Sequence, residues 1–165
     1  MDHPNQALIR GFYAAFAALD ADTMQACYAP DARFEDEAFT LKGAEEIGAM
    51  WRMLCEGARE RGRDVWRLES SGIQADAAQG RARWEAHYRF GPGGRIVHNV
   101  IDASFTFRDG LIASHRDRFD FARWARQALG PAGLLLGWTP WLRGQVRQQA
   151  AARLAAWRRR GPKAG

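Results

Sequence analysis

A chain of 165 residues with 47% hydrophobic and 26% charged side chains can bury roughly 70% of the surface its unfolded form exposes. It needs no disulfide or metal to fold, and collagen-like, disordered and disulfide-scaffold classes are excluded. The net charge of +5 divides unevenly: residues 1–120 carry 15 basic and 19 acidic side chains, a net of −4, whereas residues 121–165 carry nine basic and no acidic ones. The basic character belongs to a tail, so nucleic-acid binding is not expected of the body.

In chain order, Leu8, Ile9, Phe12, Tyr13, Phe16 and Leu19 recur at helical spacing and predict a first helix over Asn5 to Leu19. Asp20 and Asp22 are candidate caps, and Asp22-Thr23-Met24-Gln25 resembles a capping box opening a short second helix that Pro30 ends. A short strand is expected at Ala32 to Asp36, then a third helix from Ala44 to about Gly57 with Ile47, Met50, Trp51 and Leu54 on one face. After the charged turn Arg59 to Arg63 the period changes to two. Val65 to Ser70, Gly80 to Phe90, Ile96 to Phe107 and Leu111 to Phe121 read as strands, with turns at Gly91-Pro92-Gly93-Gly94 and Arg108-Asp109-Gly110. Helices followed by an antiparallel meander define an α+β domain. Beyond it, Gly130-Pro131-Ala132-Gly133 breaks the chain. Trp141 to Arg160 predicts a basic amphipathic helix with the stripe Leu142, Val146, Ala150, Leu154 and Trp157. The expected division is a domain over residues 1–128 and a helical extension over 129–165.

Cys27 and Cys55 lie 28 positions apart without metal or redox spacing and are expected as small buried hydrophobes in a reducing compartment. Gly11 to Leu19 lacks the basic start and cleavage site of a signal peptide, and no apolar run reaches membrane-spanning length, so a cytoplasmic protein is expected. No metal spacing, Gly-rich phosphate loop or G-x-S-x-G elbow is visible, and no cofactor is expected.

Polar residues on faces that periodicity assigns to the interior are the candidates for chemistry. In the last strand His115 and Asp117 share a face with Phe119 and Phe121. Two positions along a strand separate side chains by roughly 7 Å, a distance suited to a shared substrate or water more than to a direct hydrogen bond. The alternative is an internal polar network that fixes the sheet. Asp36 shares an inward face with Phe34, where an apolar setting raises a carboxylate's pKa and makes it a better base; the alternative is a solvated strand end. Asn99 is the lone polar residue on the inward face of its strand. His98 and Asp102 fall opposite it and are expected to face solvent or a partner. Trp84 and Tyr88 are expected to line the interior.

The order of elements now resembles that of the nuclear transport factor 2-like superfamily, in particular SnoaL-like and ketosteroid-isomerase-like proteins. Its carriers are Phe12-Tyr13-Ala14-Ala15-Phe16 through Asp22, Tyr28-Ala29-Pro30-Asp31-Ala32-Arg33-Phe34-Glu35-Asp36, Lys42-Gly43-Ala44-Glu45-Glu46-Ile47, and Phe105-Thr106-Phe107-Arg108-Asp109-Gly110-Leu111-Ile112. The resemblance covers about residues 5–128 and implies a cone-shaped curved antiparallel sheet packed on N-terminal helices, with a pocket at its open end and dimerisation through the sheet. It places the isomerase's base on Asp36, with Glu37 where those enzymes have proline. The oxyanion-hole tyrosine falls on Phe12, with Tyr13 one place away, and the protonated aspartate on Ala103, with Asp102 one place away. A catalytic aspartate of limonene-epoxide-hydrolase-like members falls on Asp117 in His115-Arg116-Asp117-Arg118-Phe119-Asp120; that site's arginine, aspartate and tyrosine fall on Trp84, Ala86 and Phe34.

The expected function is binding of a small apolar molecule with cofactor-independent acid/base chemistry, Asp36 as candidate base, Asp117 as candidate acid and His115 orienting a proton or water, in a pocket lined by Tyr13, Phe34, Trp84, Tyr88 and Asn99. The alternative is a noncatalytic binding or dimerisation module, which predicts a filled cone with Asp36 or Asp117 paired to arginines and no accessible cavity. A homodimer is expected. For the basic tail, a membrane-surface or nucleic-acid role, the former suggested by the stripe with Trp138, Trp141 and Trp157, stands against a helix folded back on the body or on a dimer partner, the favoured reading; nucleic acid is not expected as a partner.

Overall fold

The computed structural model describes residues 2–163; Met1, Ala164 and Gly165, the outermost residues of the two expected segments, lie outside them. Helix α1 (Pro4–Ala17) opens with proline at its first position, where no N–H is needed, and buries Ile9, Phe12, Tyr13 and Phe16. The short α2 (Ala21–Ala26) is capped by Asp20, whose Oδ1 accepts from the Thr23 N–H at 3.1 Å. The expected capping box at Asp22 is therefore set two residues late, and Asp22 instead accepts from the Arg52 guanidinium. Pro30 does not end this helix. Cys27 does, and Pro30 lies inside strand β1 (Tyr28–Glu35), where the pairing register shifts between Tyr28 and Arg33 and no ladder donor is lost.

Strand β2 (Thr40–Lys42) folds back on β1, and α3 (Ala44–Gly62) follows. It runs five residues beyond the expected end, and its inward face takes Cys55, leaving Leu54 40% exposed. Strands β3 (Arg67–Ala75), β4 (Gln79–Phe90), β5 (Arg95–Arg108) and β6 (Leu111–Arg118) form an antiparallel meander. At the last hairpin Asp109 and Gly110 adopt φ of 53° and 73°, the left-handed pair that a two-residue turn between twisted strands requires. The sheet order is β2-β1-β6-β5-β4-β3. β1 runs parallel to β6, and every other neighbouring pair is antiparallel. This curved, unclosed sheet wraps α1 to α3, and the core is their shared aromatic interior.

Strand β6 stops three residues short of the expected Phe121, because Asp120 caps α4 (Phe121–Leu129) by accepting from the Arg123 N–H at 3.0 Å. Beyond the end of β6, the side chain of Gln127 pairs with the backbone of His98 at 2.8 and 3.1 Å, satisfying β5 where β6 no longer does. Helix α5 (Pro131–Leu136) packs on α4 so tightly that a Cβ on Gly133 would fall 1.8 Å from the Ala125 carbonyl oxygen. The boundary expected at 128/129 falls at the end of α4.

Helix α6 (Pro140–Arg160) lies back on its own body. Leu154 and Trp157 join the main core, and Leu142 joins a second cluster with Val97, Phe121 and Trp124. Ion pairs follow the helix: Arg143 with Glu37 at 3.4 Å, Arg158 with Glu46 at 3.6 Å and Arg160 with Glu56 at 2.7 Å. Each such surface pair contributes little. The apolar stripe supplies most of the docking energy and the opposite charges favour its register. Trp157→Ala is expected to cost about 3 kcal/mol and to lower Tm by roughly 6–12 °C, whereas Trp141→Ala, which removes an exposed ring, is expected to stay within about 0.5 kcal/mol. Thermal unfolding of the two variants measures the difference.

Candidate active site

The last strand supplies the centre of the site. The alternation of β6 turns His115 and Asp117 inward, and both are essentially buried, 2% and 3% exposed. In register, His115 lies between Phe34 of β1 and Phe105 of β5, and Asp117 lies beside Ala103. Rings of Phe12, Phe34 and Phe105 meet the imidazole at centroid distances of 5.6, 5.0 and 4.4 Å, so water has little access to it.

The two residues do not stand apart as their strand spacing suggests. His115 Nε2 lies 2.9 Å from Asp117 Oδ1, because both side chains lean along the strand toward one another. His115 Nδ1 lies 2.7 Å from the Tyr28 hydroxyl, which accepts from Trp51 Nε1 at 3.1 Å, and Trp84 Nε1 donates to Asp117 Oδ1 at 3.3 Å. Indole N–H groups only donate. One proton arrangement leaves no donor idle: Trp51 to Tyr28, Tyr28 O–H to Nδ1, and Nε2–H to Asp117. Asp117 is thus a buried carboxylate held by an imidazole and an indole, and among the described residues no arginine pairs with it. Its second oxygen has no hydrogen-bond partner among them.

Asp36 sits one residue past β1, in the turn to β2. Its Oδ1 accepts from the Ala38 and Phe39 N–H groups at 2.7 and 2.6 Å. Burial pushes its carboxyl up to about 7, against the lowering effect of those hydrogen bonds and of Arg147, and the charge of Asp117 adds to the rise. Arg147 of α6 does not bind the carboxylate. Its guanidinium donates to the backbone carbonyls of Asp36 and Glu37 at 3.0 and 3.1 Å and to Thr40 Oγ1 at 2.5 Å, so α6 straps the turn that holds Asp36.

Of the expected lining residues, Tyr13, Phe34, Trp84 and Asn99 are buried and Tyr88 is half-buried. Tyr88 receives the Trp124 N–H at 3.0 Å, and burial pushes its phenol up to about 12. Tyr13 is distinctive: among the described residues its hydroxyl is buried without a hydrogen-bond partner. Burial, then the charge of Asp117 and the nearby Tyr28, hold its phenol well above the ordinary range. His98 and Asp102 face the opposite side of the sheet, paired with Glu85 and Arg83 at 2.8 and 3.0 Å. Tyr28 and Trp51 take part in the network although their positions read only as core, because an aromatic ring's polar edge follows the same periodicity as its apolar body. Arg147 carries no local signal for another reason: its partners, two backbone carbonyls and the Thr40 hydroxyl, lie at least 107 residues away.

The interior is filled by Phe12, Tyr13, Phe34, Trp51, Trp84 and Phe105. One cavity of about 290 Å³ lies between the β1–β2 turn and α6, lined in part by Phe39, Thr40, Arg147 and Leu154. Another of about 690 Å³ opens on the surface around Arg95, Arg123 and Arg126. Neither is lined by Asp36, His115 or Asp117. Among the described residues no three His, Cys, Asp or Glu side chains gather as metal ligands.

The curved sheet around three helices is the fold expected of the nuclear transport factor 2-like superfamily. The description "SnoaL-like domain" matches residues 9–115, and the chain belongs to that family. No curated protein matches. Solved structures share the fold at low identity. An epoxide hydrolase of M. tuberculosis, described as LEH-like, is 22% identical with a TM-score of 0.59, over 81% of this chain and 96% of that one. A Catenulispora acidiphila protein with a ketosteroid isomerase-like fold, in complex with trimethylamine, is 15% identical with a TM-score of 0.62, over 81% and 97%. An NTF2-like protein of unknown function from Burkholderia pseudomallei is 20% identical with a TM-score of 0.62, over 76% and 97%.

The raised pKa of Asp36 has a defined consequence for stability. The folded protein binds this proton more tightly than the unfolded chain, so the contribution is full at pH below about 4 and is lost as pH rises toward 7. Asp36→Asn is expected to abolish that loss, making the variant more stable than the parent at pH 8 by on the order of 2–4 kcal/mol. Urea unfolding at pH 5 and pH 8 checks the sign.

Proposed function

We propose that this SnoaL-like protein binds a small, largely apolar molecule and performs cofactor-independent proton transfer on it: an isomerisation, a cyclisation or an addition of water. The observation that carries this reading is Asp117, a carboxylate 3% exposed that accepts from His115 and Trp84 through one oxygen and has no hydrogen-bond partner for the other among the described residues. A buried carboxylate without a cationic partner is costly in a merely structural role. As a base it is well placed: the imidazole N–H steadies its charge, and Tyr28 holds the imidazole in the tautomer that donates.

Asp36, pushed up to about 7, is present in both forms at neutral pH and suits the complementary role of acid. One carboxyl group takes a proton from the substrate while the other returns one, and no net change of charge remains. The Tyr13 hydroxyl, buried without a hydrogen-bond partner among the described residues, supplies a donor for an oxygen that gains negative charge during the reaction.

A second reading, a noncatalytic binding or dimerisation module, draws support from the filled interior. Substitution separates the two. With racemic epoxides and activated cyclic ketones as probes, Asp117→Asn and Asp36→Asn are each expected to lower kcat/KM by about 10²–10⁴-fold, with the parent's pH profile turning near pH 7 and Asp36→Asn removing that turn. Absence of turnover by the parent across the panel, or unchanged rates in both variants, favours the module. Tyr13→Phe is expected to leave stability unchanged or raise it by up to about 1 kcal/mol, while lowering kcat more than it raises KM.

A further inference from the structure

The stripe of α6 that suggests a membrane role in the sequence is spent inside the protein: Leu142, Leu154 and Trp157 are all buried. What stays outside lies just before it. Leu134, Leu135 and Leu136 of α5, Trp138 in the following turn and Trp141 in the first turn of α6 are between 38% and 77% exposed. Three consecutive exposed residues on a helix cover about 200° of its circumference. The rest of α5 is pinned by the Gly133 contact with Ala125. The apolar corner therefore projects from the body, and a single flat partner surface could cover only part of it.

Its surroundings are basic. Arg123 and Arg126, on the exposed side of α4, converge with Arg95 of β5 on the open concavity of about 690 Å³, which includes the 56% exposed Ile96. The Arg126 backbone nitrogen abuts Gly133, and the Arg95 guanidinium lies against Gly130, at the two ends of the α4–α5 junction. Other arginines of the tail are paired with Glu37, Glu46 and Glu56 on the body. Arg95, Arg123 and Arg126 have no carboxylate partner among the described residues. They keep their charge for something outside.

We propose that this corner docks the protein on an anionic lipid bilayer, with the leucines and the two tryptophans entering the interfacial region and Arg95, Arg123 and Arg126 meeting lipid phosphates and carboxylates. Charge decides between a bilayer and a second copy. A symmetric dimer through this patch would gather both copies of Arg95, Arg123 and Arg126 into one interface, and residues 121–165 contain no acidic side chain to compensate. A bilayer supplies negative charge and an isotropic apolar medium that can surround a projecting corner, and tryptophan suits its interface. Among the described residues no helix is long and apolar enough to cross a membrane, so the contact is peripheral. It is independent of the acid/base reading of the interior.

The full chain should cosediment with phosphatidylcholine vesicles containing phosphatidylserine about tenfold or more better than with pure phosphatidylcholine, and lose that preference at high salt. Arg123→Glu with Arg126→Glu should abolish the preference, and Leu135→Ser with Trp138→Ser should weaken binding to both vesicles; these side chains are exposed, and unchanged thermal unfolding confirms intact folding. Brominated lipids should quench tryptophan emission in the parent and much less in Trp138→Phe with Trp141→Phe. No cosedimentation with the anionic vesicles at low salt, or equal binding by parent and variants, overturns the proposal. So does a dimer in sedimentation equilibrium that Leu135→Ser with Trp138→Ser dissociates in a protein that ignores vesicles, an outcome that assigns the corner to a second copy.

Discussion

The hydrogen bond between His115 and Asp117 is the constraint around which the interior is arranged. Burying a carboxylate without an arginine is unfavourable unless its charge is met by well-placed donors, and the surroundings supply them. Trp84 from β4 reaches one carboxylate oxygen, and Tyr28 from β1 fixes the imidazole from behind with Trp51 of α3 in support. Four elements thus contribute polar edges to one chain of hydrogen bonds, while their apolar bodies form the core. The register of β6 between β1 and β5 is tied to this chain, because a slip by one residue would turn His115 and Asp117 outward and bring Arg116 and Arg118 into the aromatic interior.

The C-terminal helices complete the domain and do not trail from it. Gln127 finishes the hydrogen bonding of β5 where β6 ends, Leu154 and Trp157 enter the main core, and Arg147 clasps the turn that carries Asp36. The same helix thereby stabilises the fold and occupies the approach to the candidate site. The unequal division of charge between body and tail has a structural use, with the tail's arginines lying against glutamates of α3 and of the β1–β2 turn. Arg123 and Arg126 of α4, with Arg95 of β5, line the concavity beside the apolar corner.

Much of this was legible in the residues. Strict alternation in β4 and β5 assigned Trp84 and Asn99 to the interior and His98 and Asp102 to the outer face, since side-chain direction in a strand has a period of two. The same rule turned His115 and Asp117 inward. It could not give their mutual distance, which depends on rotamers set by Phe34 and Phe105 on the flanking strands. Local signals that compete were read less well. Asp20 and Asp22 both precede a helix-compatible run, and the cap went to the residue whose carboxylate reaches the Thr23 N–H. Leu54 and Cys55 both fit the inward stripe of α3, and the smaller side chain took the buried position.

By itself the sequence determined the α+β class, the order of helices and strands, the inward set of polar residues, and the separation of an acidic body from a basic end, because these follow from periodicity and composition. Tertiary structure alone decided that Tyr28 and Trp51 belong to the polar network, that aromatic side chains pack the interior while Arg147 straps the Asp36 turn, and which hydrophobic residues of the tail remain outside. Those outcomes rest on contacts between residues far apart in the chain, whose geometry no local pattern encodes.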